Sequence, residues 1–161
     1  MKSIFSTLVN VGLVVLVLCT SCTSDNPTEE LAEAHYLKAV VNGKLFVADE
    51  SNVVVANNQL HIVATHMESS TSIFFTLNAK DTGTYVLGVT EENLQNNVAG
   101  YLQSATKSGY VTTYAAGNIG SVSIEHFDIE NKNISGTFNF TAKNSDYQSI
   151  TIKDGEFQIQ Y

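Results

Sequence analysis

From Leu37 to Tyr161 apolar and polar residues alternate with a period of two, and turn-forming residues recur at roughly 8 to 12 positions. Successive side chains of an extended chain point to opposite sides of a sheet, so this alternation marks strands that bury one face. The pattern predicts an all-β domain: an antiparallel β-sandwich or flattened barrel of about ten strands, connected as a meander of hairpins.

The first hairpin is written most clearly. Asn42-Gly43 tolerates the positive φ angles of a two-residue primed turn, which sets Val41 opposite Lys44, Ala39 opposite Phe46 and Leu37 opposite Ala48. Leu37, Ala39, Val41, Phe46 and Ala48 then share one buried face. Asn57-Asn58 makes a second turn between Asn52 to Ala56 and Gln59 to Met67, pairing Val55 with Leu60 and Val53 with Ile62. Ile73, Phe75 and Leu77 supply the next buried face, closed by a turn from Asp81 to Gly83.

Further strands are expected at Thr84 to Leu87, Ala99 to Gln103, Tyr110 to Tyr114 and Ser121 to Asp128, with Glu91 to Asn97 a helical turn or a loop. In Ile134 to Ala142 the even positions Ile134, Phe138, Phe140 and Ala142 face inward and the odd ones outward. Ile150 and Ile152 continue that parity, but Phe157, Ile159 and Tyr161 reverse it, so the register resets at Asp154-Gly155. A two-residue hairpin would do this, as would a bulge with Gly155 at positive φ. The bulge is favoured because a long strand from Ile134 needs a partner of similar length, and only a continuous Ser149 to Gln158 supplies one.

The N-terminus follows another logic. Lys2 precedes a stretch from Leu8 to Leu18 that is apolar except for Asn10, too short to span a bilayer and of the length of a signal peptide core. Lipoprotein signal peptidase requires a small residue before the cysteine that receives the lipid. Cys19 follows Leu18, whereas Cys22 follows Thr20-Ser21, so Cys22 is the expected lipid acceptor. The chain divides into a signal peptide at 1–21, a lipid-anchored tether at 22–35, and a single β domain at 36–161. The tether is rich in Ser, Asp, Asn, Thr and Glu, a composition that buries nothing. Cleavage removes Cys19 and leaves no second thiol for a disulfide, so stability has to come from apolar burial.

Composition narrows the partners. Acidic residues number 16 against 8 basic ones, and every basic residue is Lys. The lack of arginine and the acidic excess argue against nucleic acid and against electrostatic adhesion to anionic lipid. The membrane is instead met through the N-terminal lipid, and the expected address is the cell envelope, as an outer membrane lipoprotein on either its periplasmic or its surface side.

Several segments taken together resemble a known family. A signal peptide ending in Cys, the opening Leu37-x-Ala39-x-Val41-Asn42-Gly43-x-x-Phe46-x-Ala48, the central Gly83-Thr84-Tyr85-x-Leu87-Gly88 and the closing Ile134-Ser135-Gly136-Thr137-Phe138-x-Phe140-Thr141-Ala142 with Ile150-Thr151-Ile152-x-x-Gly155-x-Phe157 are similar to small Bacteroidota lipoproteins classed as a domain of unknown function. The resemblance implies localisation and fold. It carries no activity, cofactor or catalytic residue.

Chemistry-bearing residues do not converge. The spacing of His61 and His66 sends them to opposite faces of a strand, and no histidine pair has metal-ligand spacing. Asp128, Glu130 and Asn133 lie near one turn but lack the ordered spacing of a calcium loop. There is no Gly-x-Ser-x-Gly elbow. The expectation is a non-enzymatic module without cofactor or metal. Tyr101, Tyr110 and Tyr114 lie in weakly apolar middle strands and are the candidates for a surface that binds an envelope protein or small ligand, since tyrosine joins apolar area to a polar tip. The alternative is a barrel that carries a small apolar ligand in its interior.

Overall fold

The computed structural model describes residues 35–88, 97–115, 117 and 119–161. The expected signal peptide, Cys22, the tether as far as Ala34 and all but the last residue of Glu91 to Asn97 lie outside them.

Eleven strands follow one another: β1 (Tyr36–Val41), β2 (Lys44–Val47), β3 (Glu50–Ala56), β4 (Gln59–His66), β5 (Thr71–Leu77), β6 (Gly83–Val86), β7 (Val98–Gln103), β8 (Ser108–Val111), β9 (Gly120–Asp128), β10 (Asn133–Lys143) and β11 (Ser149–Gln160). They form an antiparallel sheet, curled into a half-barrel, in the order β2-β1-β11-β10-β8-β7-β5-β4-β3. The pair β9 and β6 branches from β10. The branch arises because β10 is longer than any one neighbour on that side. Asn133 to Phe140 pair with β9, and Lys143 reaches past its end to Val111 of β8.

Both hairpins have the register their turns dictate. Asn42 and Gly43 take φ of 46° and 80°, and Val41 pairs with Lys44 and Ala39 with Phe46. Asn57 and Asn58 take φ of 52° and 61°, and Val55 pairs with Leu60 and Val53 with Ile62. Asn42 does more than turn the chain. Its N–H donates to the Thr151 carbonyl at 3.0 Å and its Oδ1 accepts the Thr151 N–H at 2.9 Å, stitching the turn to β11.

The parity reversal near Asp154 is a bulge within the continuous β11. Phe138 pairs with Gly155 and Phe140 with Ile152, and on the other side Lys38 pairs with Glu156 and Val40 with Lys153. Ile150 and Ile152 before the bulge and Phe157 and Ile159 after it are therefore all buried. One detail differs from expectation: the left-handed residue is Asp154, with φ of 49°, and not Gly155. Gly155 is needed for close approach instead, because the Phe138 ring lies against its backbone.

The core sits between the two arms of the curl. Phe75 of β5 meets Phe138 of β10 at 4.8 Å, edge to face, with Phe157 at 6.2 Å and Phe140 at 6.3 Å. Leu37, Leu60, Ile62, Ile73, Leu77, Ile134 and Ile152 are fully buried around these rings. Removing each such side chain from water is worth about 1.5–3 kcal/mol, which is how a domain without disulfides holds together.

The expected strand from Tyr110 to Tyr114 is corrected. β8 stops at Val111, and Thr112–Tyr114 form a single 3-10 turn. Thr112 is fully buried, where its Oγ1 accepts the Ala99 N–H at 3.0 Å. That bond draws the chain inward and ends the strand.

Candidate functional site

The two ends of the strand order are joined by a corner of two residues. Ala48 donates its N–H to the Leu37 carbonyl at 2.9 Å, and the next residue, Asp49, donates to the Thr65 carbonyl at 2.8 Å. The chain from β2 to β3 thus leaves one arm of the sheet and enters the other. Before the corner no described strand pairs with the outer side of β2. Between β2 and the turn that joins β4 to β5 lies a cleft of about 240 Å³, floored by Val41, Phe46 and Tyr101 and rimmed by Lys44, His66 and Thr71.

The edge of β2 that borders this cleft carries its own chemistry. Backbone groups alternate sides along a strand, so Lys44, Phe46 and Ala48 face β1, and Leu45 and Val47 turn their N–H and C=O groups the other way. No described strand pairs with β2 on that side. The side chains of the same two residues are exposed, Leu45 at 72% and Val47 at 42%. An open backbone edge and an apolar surface coincide at one place.

The rim is positioned by local hydrogen bonds. His66 Nδ1 accepts the Ser69 N–H at 3.2 Å and lies 2.7 Å from Ser69 Oγ, which is 2.8 Å from Thr71 Oγ1. Because Nδ1 is an acceptor here, the neutral ring carries its proton on Nε2. The ring stands 6.2 Å from Phe46, which in turn meets Tyr101 edge to face at 6.5 Å. Asp49, the nearby carboxylate in sequence, accepts the Met67 N–H at 2.6 Å. These bonds cap a tight turn.

Tyr101 and Tyr110 are paired directly across β7 and β8, and Tyr114 stands apart in the 3-10 turn. Tyr101 is 7% exposed and belongs to the core, Tyr110 is half-buried against it, and Tyr114 stands out at 52%. The structure gathers Tyr101 with Phe46 and His66 rather than with Tyr114. The histidines separate as their spacing predicts: His61 is 3.2 Å from Thr76 Oγ1, and His66 turns toward Phe46. His35, the last residue of the expected tether, accepts the Gln160 N–H at 3.0 Å.

Two other polar surfaces have structural explanations. Asp128 accepts the Asn131 N–H at 2.9 Å and its side-chain amide at 2.6 Å, and these bonds hold its carboxyl below the usual carboxylate range. Among the described residues no group of three or more His, Cys, Asp or Glu side chains is arranged to hold a metal ion. A wide groove of about 620 Å³ on the outer face, lined by Thr137, Asn139, Lys153, Asp154 and Glu156, is the dent left by the β11 bulge. Beside it Lys38 pairs with Glu156, which raises the lysine's pKa.

Sequence reasoning missed the β2 edge, although a signal was present. In Leu45-Phe46-Val47 three apolar residues follow one another where the period of two requires a polar residue on each side of Phe46.

Among the described residues, fold and site together define an all-β half-barrel with an aromatic core and an open apolar edge at β2. The chain belongs to the family described as a domain of unknown function, DUF6252, which matches residues 33–159. No curated protein and no solved structure matches it.

Proposed function

We propose that this chain is a lipid-anchored protein of the bacterial envelope whose β domain acts by binding, without catalysis. The observation that carries the reading is the N-terminal pattern: an apolar core from Leu8 to Leu18 and small residues Thr20-Ser21 directly before Cys22. The resemblance of its segments to small Bacteroidota lipoproteins supports the reading, and an outer membrane address is part of the proposal. The aromatic packing of Phe75 with Phe138, Phe140 and Phe157 leaves the centre occupied, which supports a surface that binds over an interior that carries a ligand.

Metabolic labelling with a fatty acid, followed by membrane fractionation, tests the anchor. The wild-type chain and a Cys19→Ser variant should take up label and sediment with membranes. Cys22→Ser should do neither. A Cys22→Ser chain that labels and sediments like wild type would overturn the reading.

A further inference from the structure

We propose that the open edge of β2 takes an extended peptide segment of another protein as an added strand, seating an apolar side chain in the cleft over Phe46 and an acidic residue beside Lys44. The proposal rests on the domain being a binding module, and it names the site and the partner chemistry.

Three observations converge on it. The backbone groups of Leu45 and Val47 point away from β1 toward a side where no described strand pairs with β2. Main-chain hydrogen bonds to such an edge supply affinity for any extended chain, and pockets for alternate side chains supply selectivity. The cleft of about 240 Å³ lies beside that edge, with an apolar floor of Val41, Phe46 and Tyr101. An added strand directs every second side chain inward at this level, so a Leu-sized group enters the cleft while its neighbours lie along exposed Leu45 and Val47.

Charge selects the occupant. Lys44 is a cation at the rim, and none of the cleft's lining residues is a carboxylate. An acidic residue next to the inserted apolar one meets a cation there. A second copy of this chain fits less well, because each copy carries a net charge of -8. Edge strands without a partner commonly carry lysine on their exposed positions to repel added strands. β2 has one such lysine, Lys44, and presents leucine and valine at its other exposed positions.

A random nonapeptide library displayed on phage, panned against the full-length chain in detergent, tests this directly. The expected enrichment is for peptides with apolar residues at every second position and Asp or Glu next to the central one. Leu45→Lys with Val47→Lys should weaken the enriched peptides by at least about tenfold without lowering the melting temperature, since both side chains are exposed. Val54→Lys, at an exposed site on β3, should change nothing. Lys44→Glu should shift the enriched set from acidic to basic peptides, a change no loss of folding produces. Absence of enrichment, or enriched peptides that bind the Leu45→Lys, Val47→Lys chain as they bind wild type, would overturn the proposal. Neither result touches the labelling of Cys22, so failure here is distinguishable from failure of the anchored-protein reading.

Discussion

The ring of Phe138 lies directly on the backbone of Gly155, so close that a Cβ on the glycine would fall 2.6 Å from the ring's Cγ and nearer still to two other ring carbons. Gly155 does not have a positive φ, so its requirement is one of space alone. Gly155→Ala should cost about 1–3 kcal/mol in urea unfolding, the usual penalty of overpacking a core. Gly109→Ala is the contrast. The added methyl meets only the tip of Leu102, a side chain 40% exposed and able to move, and stability should change by less than about 0.5 kcal/mol.

Thr112 offers a test of the turn that ends β8. Its buried hydroxyl is the acceptor for the Ala99 N–H. Thr112→Val keeps the volume and strands that donor away from water, for an expected loss of about 1–3 kcal/mol. Thr112→Ser keeps the acceptor and should recover most of the difference. Equal losses for the two variants would mean that the methyl group, and not the hydrogen bond, holds the turn.

Asp128 gives a pH dependence with a definite sign. Its hydrogen bonds from the Asn131 backbone and side chain lower its pKa in the folded chain relative to the unfolded one. The unfolded state therefore binds the proton more readily. The contribution to stability is complete above the ordinary carboxylate range and is lost as the pH falls through the depressed folded value. Melting temperatures followed from neutral to acid pH should fall more steeply for wild type than for Asp128→Asn, and the two curves should converge at the acid end.

Much of this fold was legible because its decisive signals are local. Asn42-Gly43 and Asn57-Asn58 fix turn type within two residues, and turn type fixes register across each hairpin. The parity change around Asp154 was also readable, since one extra residue moves every later side chain to the opposite face. Which residue would take the left-handed conformation was not. That depended on Phe138, a ring from another strand that needs the space at Gly155 and leaves Asp154 to turn the backbone.

The middle of the chain was harder for the same reason. Thr112 is drawn inward by a backbone group on β7, and Tyr101 is buried by Phe46 of β2, partners that no window around either residue contains. The tyrosines looked alike in sequence and occupy three different environments. The candidate site was half visible: Leu45 and Val47 break the alternation, but the corner at Ala48-Asp49, after which the chain pairs elsewhere and no described strand lies beside β2, is visible only in the fold.

Among the described residues β2 ends the sheet with an open edge, and amide hydrogen exchange across that strand reads this out residue by residue. Phe46 and Ala48 donate toward β1, so their amides should be slowed by at least about 100-fold relative to an unstructured peptide. Leu45 and Val47 donate away from it and should exchange close to the unstructured rate. An open edge gives alternating fast and slow amides from Leu45 to Ala48; uniform protection of all four would mean that the edge is covered.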